Sequence, residues 1–364
     1  MSTTWLEVKV PGRVELLGNH TDYNQGLVIS MAVDRYTIMR SRLREDHILR
    51  LRSLNLEETW QGSLNNLVPQ KEQHWVNYVV GVLAALKERE VEILGMDMEI
   101  ESSIPLGFGL SSSAALEVAS LLTCKQYHSL DQEPLEMAKM CQWAENQFAG
   151  VSCGLMDQIS VLISQRGSVN KIDLQSLGYE NLPFSKAFCF LVVDSETRHQ
   201  LVDGEYSNRR EVCESAAKKL DVAYLREVQV DHLDDRKFDL SLEEHKRALH
   251  VVTENERVQK ACQALQEGAM ERLGQLMFES HESSKNNFEN SCRELDELVD
   301  FASRHKACLG ARLTGGGFGG AVVHLLERSK KDFYQNDLTS FFSKKFGRPP
   351  KIIEVNPVAG ALNI

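Results

Sequence analysis

Apolar and polar residues alternate along short stretches in the first hundred residues of the chain, a pattern that predicts β-strands. Strands are predicted at Leu6–Val10, Leu27–Val33, Tyr36–Ser41, Ile48–Leu56, Glu57–Gln61 and Met96–Ile100. Between the first two lies Pro11–Gly26, PGRVELLGNHTDYNQG, whose glycines and polar residues predict a turn-rich loop. The first part of the chain is therefore expected to be rich in strands.

Apolar residues recur at the spacing of one helix face in much of the remaining chain. Helices are predicted at His74–Glu88, Ala114–His128, Pro134–Glu145, about 203–220, Leu242–Glu267, Ala269–Asn287 and Cys292–Arg304. Further strands are predicted at Ala187–Val193, in the two arms of Ala311–Leu326, and at Lys351–Val355. This mixed order of strands and helices favours an α+β fold over a doubly wound parallel sheet.

The length of 364 residues favours two domains, each large enough to bury a core. The nearest thing to a boundary is Gly178–Ser185, which precedes the all-apolar strand Ala187–Val193. We therefore expect an N-terminal domain over residues 1–183 and a C-terminal domain over residues 184–364.

Charge and cysteine usage exclude several classes of protein. The net charge of −11 gives no field that would attract nucleic acid. The eight cysteines are scattered without a CxxC pair, which is typical of reduced thiols in a cytosolic protein. The longest apolar run is far shorter than the ~20 residues that span a bilayer, and the N-terminus lacks a signal-peptide pattern. A cytoplasmic protein without a membrane or nucleic-acid partner is expected.

One stretch, Ile104–Glu117 or IPLGFGLSSSAALE, combines a glycine-containing loop with the start of a helix. Gly107 and Gly109 permit positive φ and close approach to a ligand. Free amides at a helix N-terminus bind anions, most often phosphate, and the three serines could also ligate a hard cation such as Mg²⁺. A Ser/Gly turn that merely caps a buried helix is the alternative, because the stretch is neither a Walker A loop nor a dinucleotide fingerprint.

Glycines are also concentrated in Thr314–Gly320, at positions 315, 316, 317, 319 and 320. One or two glycines would suffice for a turn, so five suggest backbone lying against a ligand. A flexible hairpin or bulge is the alternative reading of this segment.

Charged residues in two places could take part in chemistry. Arg13, His20 and Asp22 fall within one polar segment, which is either a solvated turn or a loop folded inward. Asp157 lies among apolar residues, where a carboxylate is either a helix N-cap or a functional acid with a cationic partner such as Arg13.

Taken together, PGRVELLGNHTDYNQG, PLGFGLSSSAALE and LTGGGFGGAVV resemble, in this order, the three motifs of the GHMP small-molecule kinases. Within that family the chain is most similar to the galactokinase branch over nearly its whole length. Three further segments carry this likeness: Trp75–Val82, Ala144–Gln158 and Thr197–Glu214. The resemblance implies a ribosomal-S5-domain-2-like N-terminal domain, a ferredoxin-like C-terminal domain, and ATP-dependent phosphorylation of a sugar at its anomeric hydroxyl.

The resemblance also implies a nucleotide site. The residues that would wrap the ATP phosphates are Gly107, Phe108, Gly109, Leu110, Ser111, Ser112 and Ser113. Ser113 and Glu145 would be the Mg²⁺ ligands, a hydroxyl and a carboxylate that suit a hard cation. Trp75 and Tyr78, one helical turn apart, would flank the adenine, although simple core packing also explains them.

By the same likeness, Asp157 matches the catalytic aspartate and Arg13 the arginine beside it. Arg13 would keep Asp157 ionised and stabilise charge on the transferred phosphoryl group. Whether Asp157 accepts the proton or orients the hydroxyl is left open. The residues implied in sugar binding are Asn19, His20, Thr21, Asp22, the backbone of Gly154, and Tyr206. The expected partners are a small sugar and ATP, with the protein acting as a monomer.

One position departs from the galactokinase pattern. The family has an acid immediately before the histidine of this motif, and this chain has Asn19. Asn carries no charge and can donate as well as accept a hydrogen bond. The resemblance makes galactose the first expected substrate, and Asn19 adds galacturonate, arabinose and N-acetylgalactosamine as alternatives. A sugar sensor that binds galactose and ATP without turnover is a further alternative, which the presence of both Ser113 and Asp157 disfavours.

Overall fold

The computed structural model describes residues 5–198 and 202–364. The first half of the chain builds a seven-stranded sheet with strand order β4-β3-β5-β2-β6-β7, and β1 pairs with β2. Its strands are β1 (Leu6–Leu17), β2 (Leu27–Leu43), β3 (Ile48–Ser53), β4 (Glu58–Ser63), β5 (Met96–Ser102), β6 (Ser168–Asp173) and β7 (Tyr179–Pro183). All of these pairings are antiparallel except that of β3 with β5.

Four helices accompany this sheet, and α2 and α4 both pack on β1 and β2. They are α1 (Val76–Lys87), α2 (Ser112–His128), α3 (Pro134–Ala144) and α4 (Met156–Ile163). Pro134 stands in the first turn of α3, where its missing N–H costs no helical hydrogen bond. A π-helical turn, Glu145–Ala149, continues α3 and ends at Gly150, which has φ 70°. Such turns are frequent at functional sites.

The second half of the chain forms an antiparallel four-stranded sheet of order β11-β8-β10-β9 and six helices. The strands are β8 (Phe188–Arg198), β9 (Cys308–Thr314), β10 (Gly319–Glu327) and β11 (Lys351–Val355). The helices are α5 (Val202–Lys219), α6 (Val230–Asp235), α7 (Leu242–Glu267), α8 (Met270–Ser283), α9 (Arg293–Arg304) and α10 (Lys331–Phe346). A second π-helical turn, Ser284–Phe288, follows α8.

The largest hydrophobic core draws on both halves of the chain. It includes Leu16 of β1, Val192 of β8, Val258 of α7 and Val323 of β10, all of them fully buried. Helix α7 packs against β1, β2 and β7 of the first sheet. All strands of the first sheet precede the predicted boundary at 183/184 in sequence, and all strands of the second sheet follow it. The domain limits themselves stay a prediction.

Several elements differ from the sequence-based expectations. β1 continues to Leu17 instead of ending at Val10, and β2 is one strand where two were expected. The extension of β1 was missed because Arg13 and Glu15 are polar, yet both are buried and paired in the fold. β6, β7 and α10 were not predicted, and β7 lies inside the expected boundary segment. The α+β class itself agrees with the observed elements.

Candidate active site

A cavity of about 220 Å³ opens where four chain segments meet. These segments are β1 with the loop that follows it, the stretch from the first π-turn to the start of α4, helix α5, and the turn between β9 and β10. Its lining consists of Arg13, Glu15, Gly18, Asn19, His20, Asp22, Glu145, Gly150, Val151, Ser152, Cys153, Gly154, Met156, Asp157, Tyr206, Ser207, Gly315 and Gly316. Most of the residues predicted to act on the sugar are therefore brought together.

Arg13 and Asp157 form a two-point ion pair in the wall of this cavity. Nε of Arg13 lies 2.6 Å from one carboxylate oxygen of Asp157, and Nη2 lies 2.5 Å from the other. Burial alone would lower the pKa of Arg13, but Asp157 outweighs it and the pKa is raised. The Ser111 hydroxyl donates to the same carboxylate. Asp157 is thus held as an oriented acceptor, and the predicted Arg13–Asp157 partnership is present.

The segment from Gly107 to Ser113 also contacts the Arg13–Asp157 pair. Gly107, Gly109 and Ser111 all have positive φ, and α2 begins directly afterwards at Ser112. The first amides of α2 have no partner within the helix and carry its positive dipole end. Nη1 of Arg13 donates to the carbonyl of Gly109, which links this loop to the ion pair. An anion held by the loop would lie next to Asp157.

Close backbone approaches fix this loop between two neighbours. A Cβ on Gly12 of β1 would lie 2.6 Å from the Leu110 carbonyl oxygen, which also accepts a hydrogen bond from the Arg13 amide at 3.0 Å. A Cβ on Gly109 would lie 3.1 Å from the carbonyl oxygen of Thr314. The loop is therefore packed against β1 and against the start of the glycine-rich turn.

Acidic side chains gather beside the loop, where Ser113 is a hydrogen-bond partner of Glu145. Nε2 of Gln158 donates to Glu145 at 2.8 Å and to Glu117 at 3.1 Å. Glu117 is fully buried, and its Oε1 has no hydrogen-bond partner within the described residues. Burial raises the pKa of both Glu145 and Glu117. An unpaired, buried carboxylate oxygen next to a second acid fits a cation with oxygen ligands.

In the part of the chain that the structure describes, no three His, Cys, Asp or Glu side chains group into a set that could hold a metal. A cation at Ser113 and Glu145 would therefore need phosphate oxygens and waters as its other ligands.

Asp22, Gly154 and Tyr206 line a second wall of the cavity. A Cβ on Gly154 would lie only 1.7 Å from Oδ2 of Asp22, so this carboxylate requires glycine there. Burial, together with the charges of Asp157 and Glu15, raises the pKa of Asp22 to about 7. Burial also raises the pKa of Tyr206 well above its ordinary value. This wall therefore presents a carboxyl whose pKa is raised towards neutral pH and a neutral phenol.

Asn19 and His20 line the cavity, but their polar atoms bind protein. Nδ2 of Asn19 donates to the Gly315 carbonyl at 2.8 Å, and its Oδ1 accepts from Asn290 at 2.9 Å. Nε2 of His20 lies 2.9 Å from the Gly316 carbonyl and Nδ1 lies 2.9 Å from the Tyr23 hydroxyl. Because a carbonyl only accepts, His20 is the neutral Nε2–H tautomer, and burial lowers its pKa to about 3. Both side chains thus fasten the glycine-rich turn.

Thr21 was expected to contact the sugar. Its side chain is fully buried outside the cavity lining. Its hydroxyl lies 2.7 Å from the carbonyl oxygens of Gly18 and Leu27, so it closes the loop on itself. The sugar contact of Thr21 stays a prediction, since a hydroxyl inside a polar motif has the same sequence signature whether it faces a ligand or the backbone.

Trp75 and Tyr78 lie outside the sugar cavity, partly buried against the main core. Nε1 of Trp75 donates to Glu58 at 2.6 Å. The side chain of Phe108 is buried, so only its backbone is available to a nucleotide. The adenine contacts of Trp75 and Tyr78 stay a prediction.

Sequence reasoning missed the pair of Glu15 and Arg312. Glu15 lines the cavity and accepts a hydrogen bond from Arg312 at 2.8 Å, with both side chains buried. Burial raises the pKa of Glu15, although Arg312 opposes this shift. The signal was present in the alternation of residues 13–16, because a continuing strand places Arg13 and Glu15 on the same face.

Comparison with known proteins agrees with this geometry. The galactokinase galactose-binding signature matches residues 5–42, the N-terminal GHMP kinase domain 77–165, and the C-terminal GHMP kinase domain 261–344. A galactokinase of Chloroflexus aggregans is 40% identical over 345 residues, which are 93% of this chain and 88% of that protein. The chain belongs to the galactokinase branch of the GHMP kinases. A galactokinase of Thermotoga maritima is 38% identical over 343 residues, 94% of this chain and 95% of that protein.

The crystal structure of Lactococcus lactis galactokinase complexed with galactose matches the fold with a TM-score of 0.95 at 28% identity, covering 98% of this chain and 95% of that one. The predicted two-domain GHMP kinase fold of α+β class is thereby confirmed, as is the prediction of an ATP-dependent kinase. Among the described residues of this GHMP kinase, no helix combines the length and apolar character needed to cross a bilayer.

Proposed function

We propose that this GHMP kinase is a galactokinase, which transfers the γ-phosphoryl group of ATP to the anomeric hydroxyl of D-galactose and releases galactose 1-phosphate and ADP. The observation that carries the proposal is the Arg13–Asp157 pair, which joins the polar cavity to the Gly107–Ser113 loop. The galactokinase name of relatives at 38–40% identity and the galactose in the Lactococcus lactis structure support the choice of sugar.

In the proposed step the anomeric oxygen attacks the γ-phosphorus, the bond from phosphorus to the β,γ-bridging oxygen breaks, and ADP leaves. Asp157 either accepts the hydroxyl proton or orients the hydroxyl, since positioning provides most of the catalysis of phosphoryl transfer. Arg13 holds the Asp157 carboxylate in place by donating to both of its oxygens. Its guanidinium also stabilises the negative charge on the transferred group.

The Gly107–Ser113 loop is proposed to hold the phosphates with its amides and the N-terminus of α2. Trp75 and Tyr78 are proposed to flank the adenine. Ser113 and Glu145 are proposed to hold Mg²⁺, and the unpaired oxygen of neighbouring Glu117 supports a cation there. The ion would neutralise charge on the phosphates.

Sugar hydroxyls are proposed to bind Asp22, the Gly154 backbone and Tyr206, which share one wall of the cavity. A site with polar partners at fixed positions rejects the wrong epimer, because a misplaced hydroxyl leaves buried groups unpaired. Asn19 and His20 are proposed to contribute by holding the glycine-rich turn, given that their polar atoms have protein partners.

The test is a substrate panel with purified protein and MgATP. Galactose, galacturonate, arabinose, N-acetylgalactosamine and glucose are compared by kcat/KM in an ADP-release assay, and the product is identified by ³¹P NMR. The proposal expects galactose to give the highest kcat/KM and an anomeric phosphate. A preference for another sugar contradicts the substrate, and binding of galactose and ATP without ADP release indicates a sensor.

We also propose that the enzyme acts as a monomer in the cytoplasm, with no nucleic-acid or membrane partner. The acidic net charge supports the absence of a nucleic-acid partner. Light scattering during size-exclusion chromatography tests the oligomeric state, and a mass of twice 41.1 kDa would contradict it.

A further inference from the structure

We propose that helix α7 acts as a clamp on the loop that shapes the sugar cavity, with Glu254 and His250 as positioning residues that govern sugar affinity without touching the sugar. The inference rests on the proposed function, because it assigns galactose to this cavity. In the described part of the chain, neither Glu254 nor His250 lines the cavity. Any effect of these residues on the sugar must therefore pass through the loop.

The loop concerned is residues 18–20, in which two residues have positive φ. Gly18 has φ 102° and His20 has φ 58°, a region that a residue with a side chain rarely adopts. Such a conformation persists only where the surrounding structure holds it. The residues that hold this loop therefore help to determine the shape of the cavity that it lines.

Glu254 contacts the loop with one carboxylate oxygen. Its Oε1 accepts hydrogen bonds from the amides of Gly18 at 2.9 Å and Asn19 at 3.3 Å, and from the Ser280 hydroxyl at 2.7 Å. Its Oε2 accepts from Nε of Arg257 at 2.6 Å. Glu254 is fully buried, and these donors stabilise its ionised form. A buried carboxylate with this number of donors is a fixed anchor for two consecutive loop amides.

His250 lies one helical turn before Glu254 and contacts the next backbone group. Its Nε2 lies 3.0 Å from the Asn19 carbonyl oxygen, and its Nδ1 lies 3.0 Å from the Ser283 hydroxyl. The carbonyl can only accept, so Nε2 carries the proton and Nδ1 accepts from Ser283. The helix thus binds both the amide and the carbonyl of Asn19.

The clamped loop in turn fastens the glycine-rich turn. Nδ2 of the Asn19 side chain donates to the Gly315 carbonyl, and Nε2 of His20 donates to the Gly316 carbonyl. Both glycines line the cavity. Asp22 follows two residues later and faces Gly154. Loosening the loop would therefore displace polar groups on several sides of the sugar. The Gly107–Ser113 loop contacts the start of the glycine-rich turn too, but it is also held by β1, through the hydrogen bond from the Arg13 amide to the Leu110 carbonyl. A site that must be ordered on binding has lower affinity than one held in advance.

The test is Glu254→Gln in the full-length protein, with galactose and ATP binding measured separately by titration calorimetry. Gln has the same shape, but its Nε2 is a donor where Glu has a second acceptor oxygen. Whichever way the side chain lies, this NH₂ group meets either the donating loop amides or the donating Arg257. Galactose Kd is expected to rise by about tenfold or more, while ATP Kd changes by less than about twofold. The galactose KM should follow Kd, with a smaller change in kcat.

Glu256→Gln is the matched control on the same helix, since the Glu256 side chain is 46% exposed and, within the described residues, forms an ion pair with Lys260 at 3.4 Å. It is expected to leave both Kd values unchanged. His250→Phe is the second variant, which keeps a ring beside Phe288 and removes the donor to Asn19. It should raise galactose Kd about threefold or more without changing ATP Kd, and it serves if Glu254→Gln does not fold.

Unchanged galactose Kd in a folded Glu254→Gln or His250→Phe variant overturns the positioning role. Equal loss of galactose and ATP binding also overturns it, since that outcome indicates a general structural role. Wild-type protein that binds no galactose contradicts the proposed function and this inference with it. If wild-type protein binds galactose and both folded variants have the same galactose Kd, the positioning role alone is contradicted.

Discussion

At the scale of single residues, the main feature is a buried arginine that contacts both oxygens of one carboxylate. Arg13 is only 5% exposed, and Asp157 provides its opposite charge. Breaking such a pair leaves an uncompensated buried charge, so each partner depends on the other. The Ser111 hydroxyl, on the proposed phosphate loop, also contacts this carboxylate, which ties the orientation of Asp157 to the nucleotide side of the site.

Replacing Asp157 with Asn is expected to lower kcat by roughly 10²–10⁴-fold, because the acceptor for the hydroxyl proton and the counter-charge of Arg13 are both lost. ATP Kd should stay nearly unchanged, since the phosphates are proposed to bind the Gly107–Ser113 loop. An ADP-release assay and calorimetry measure the two quantities. Asp332→Asn, at a position 89% exposed, is the control. Loss of ATP binding in Asp157→Asn would mean that the residue is structural.

The raised pKa of Asp22 predicts that the stability of the protein depends on pH. Its pKa is about 7 in the folded protein against an ordinary value of 3.8, so folding takes up a proton between these two pH values. The free energy of unfolding therefore falls as pH rises through this window. Asn carries no charge that burial would penalise. The free energy of unfolding of Asp22→Asn should therefore rise relative to that of wild type as pH rises towards 7, and the difference should stay constant at higher pH. Urea titrations at several pH values measure the difference, and a pH-independent difference would contradict the raised pKa.

At the scale of elements, β1 lies directly against the proposed phosphate loop. Gly12 allows the strand to lie against the carbonyl of Leu110, and the next residue is Arg13. A side chain at residue 12 would separate the loop from the strand that carries the ion pair. The element that bears catalytic residues thus also sets the position of the loop.

Gly12→Ala is expected to raise the ATP KM about fivefold or more and to cost about 1–3 kcal/mol of stability, since its Cβ would meet a backbone oxygen at 2.6 Å. Steady-state kinetics and urea unfolding test this. Gly204→Ala, in α5, is the matched control because no atom lies within 4 Å of its Cβ position. An unchanged ATP KM in Gly12→Ala would show that the loop does not depend on β1.

The sequence predicted elements with a regular apolar period and missed those without one. Helix α7 was predicted with its observed limits, Leu242–Glu267, whereas β1 was cut short at Val10. Beyond that point its buried residues include Arg13 and Glu15, and burial of paired charges is invisible without knowing their partners. Helix α10 buries only Tyr334, Leu338 and Phe342, a sparse stripe at helical spacing that was overlooked.

The same limit applies to the site. Arg13, Asp22, Gly154, Asp157 and Tyr206 were predicted from motifs, and all line the cavity. Glu254 and His250 lie on α7 more than two hundred residues away in sequence from the loop that they contact. Glu and His also occur on exposed faces of charged helices, so only the fold reveals that this face of α7 is buried.

At the scale of the whole molecule, the two sheets share one core. Core residues of α7, β8 and β10 join those of the first sheet in a single cluster, and α7 packs against β1, β2 and β7. A shared core couples the unfolding of the parts that contribute to it. The site depends on this arrangement, because its lining comes from both halves of the chain.

Equilibrium unfolding in urea is therefore expected to be one transition. The four tryptophans, at 5, 60, 75 and 143, all lie in the first half of the chain, so their fluorescence reports on that half. Far-UV circular dichroism also reports on the six helices of the second half. The two midpoints should coincide. Two separate midpoints would show that the halves unfold independently despite the shared core.

The most direct test of the proposed reaction is a crystal structure of the protein with galactose and a non-hydrolysable ATP analogue. We expect the anomeric oxygen within about 2.6–3.2 Å of the Asp157 carboxylate, with the γ-phosphate between that oxygen and the Gly107–Ser113 loop. A different sugar hydroxyl beside Asp157, or phosphates bound away from this loop, would contradict the proposed reaction.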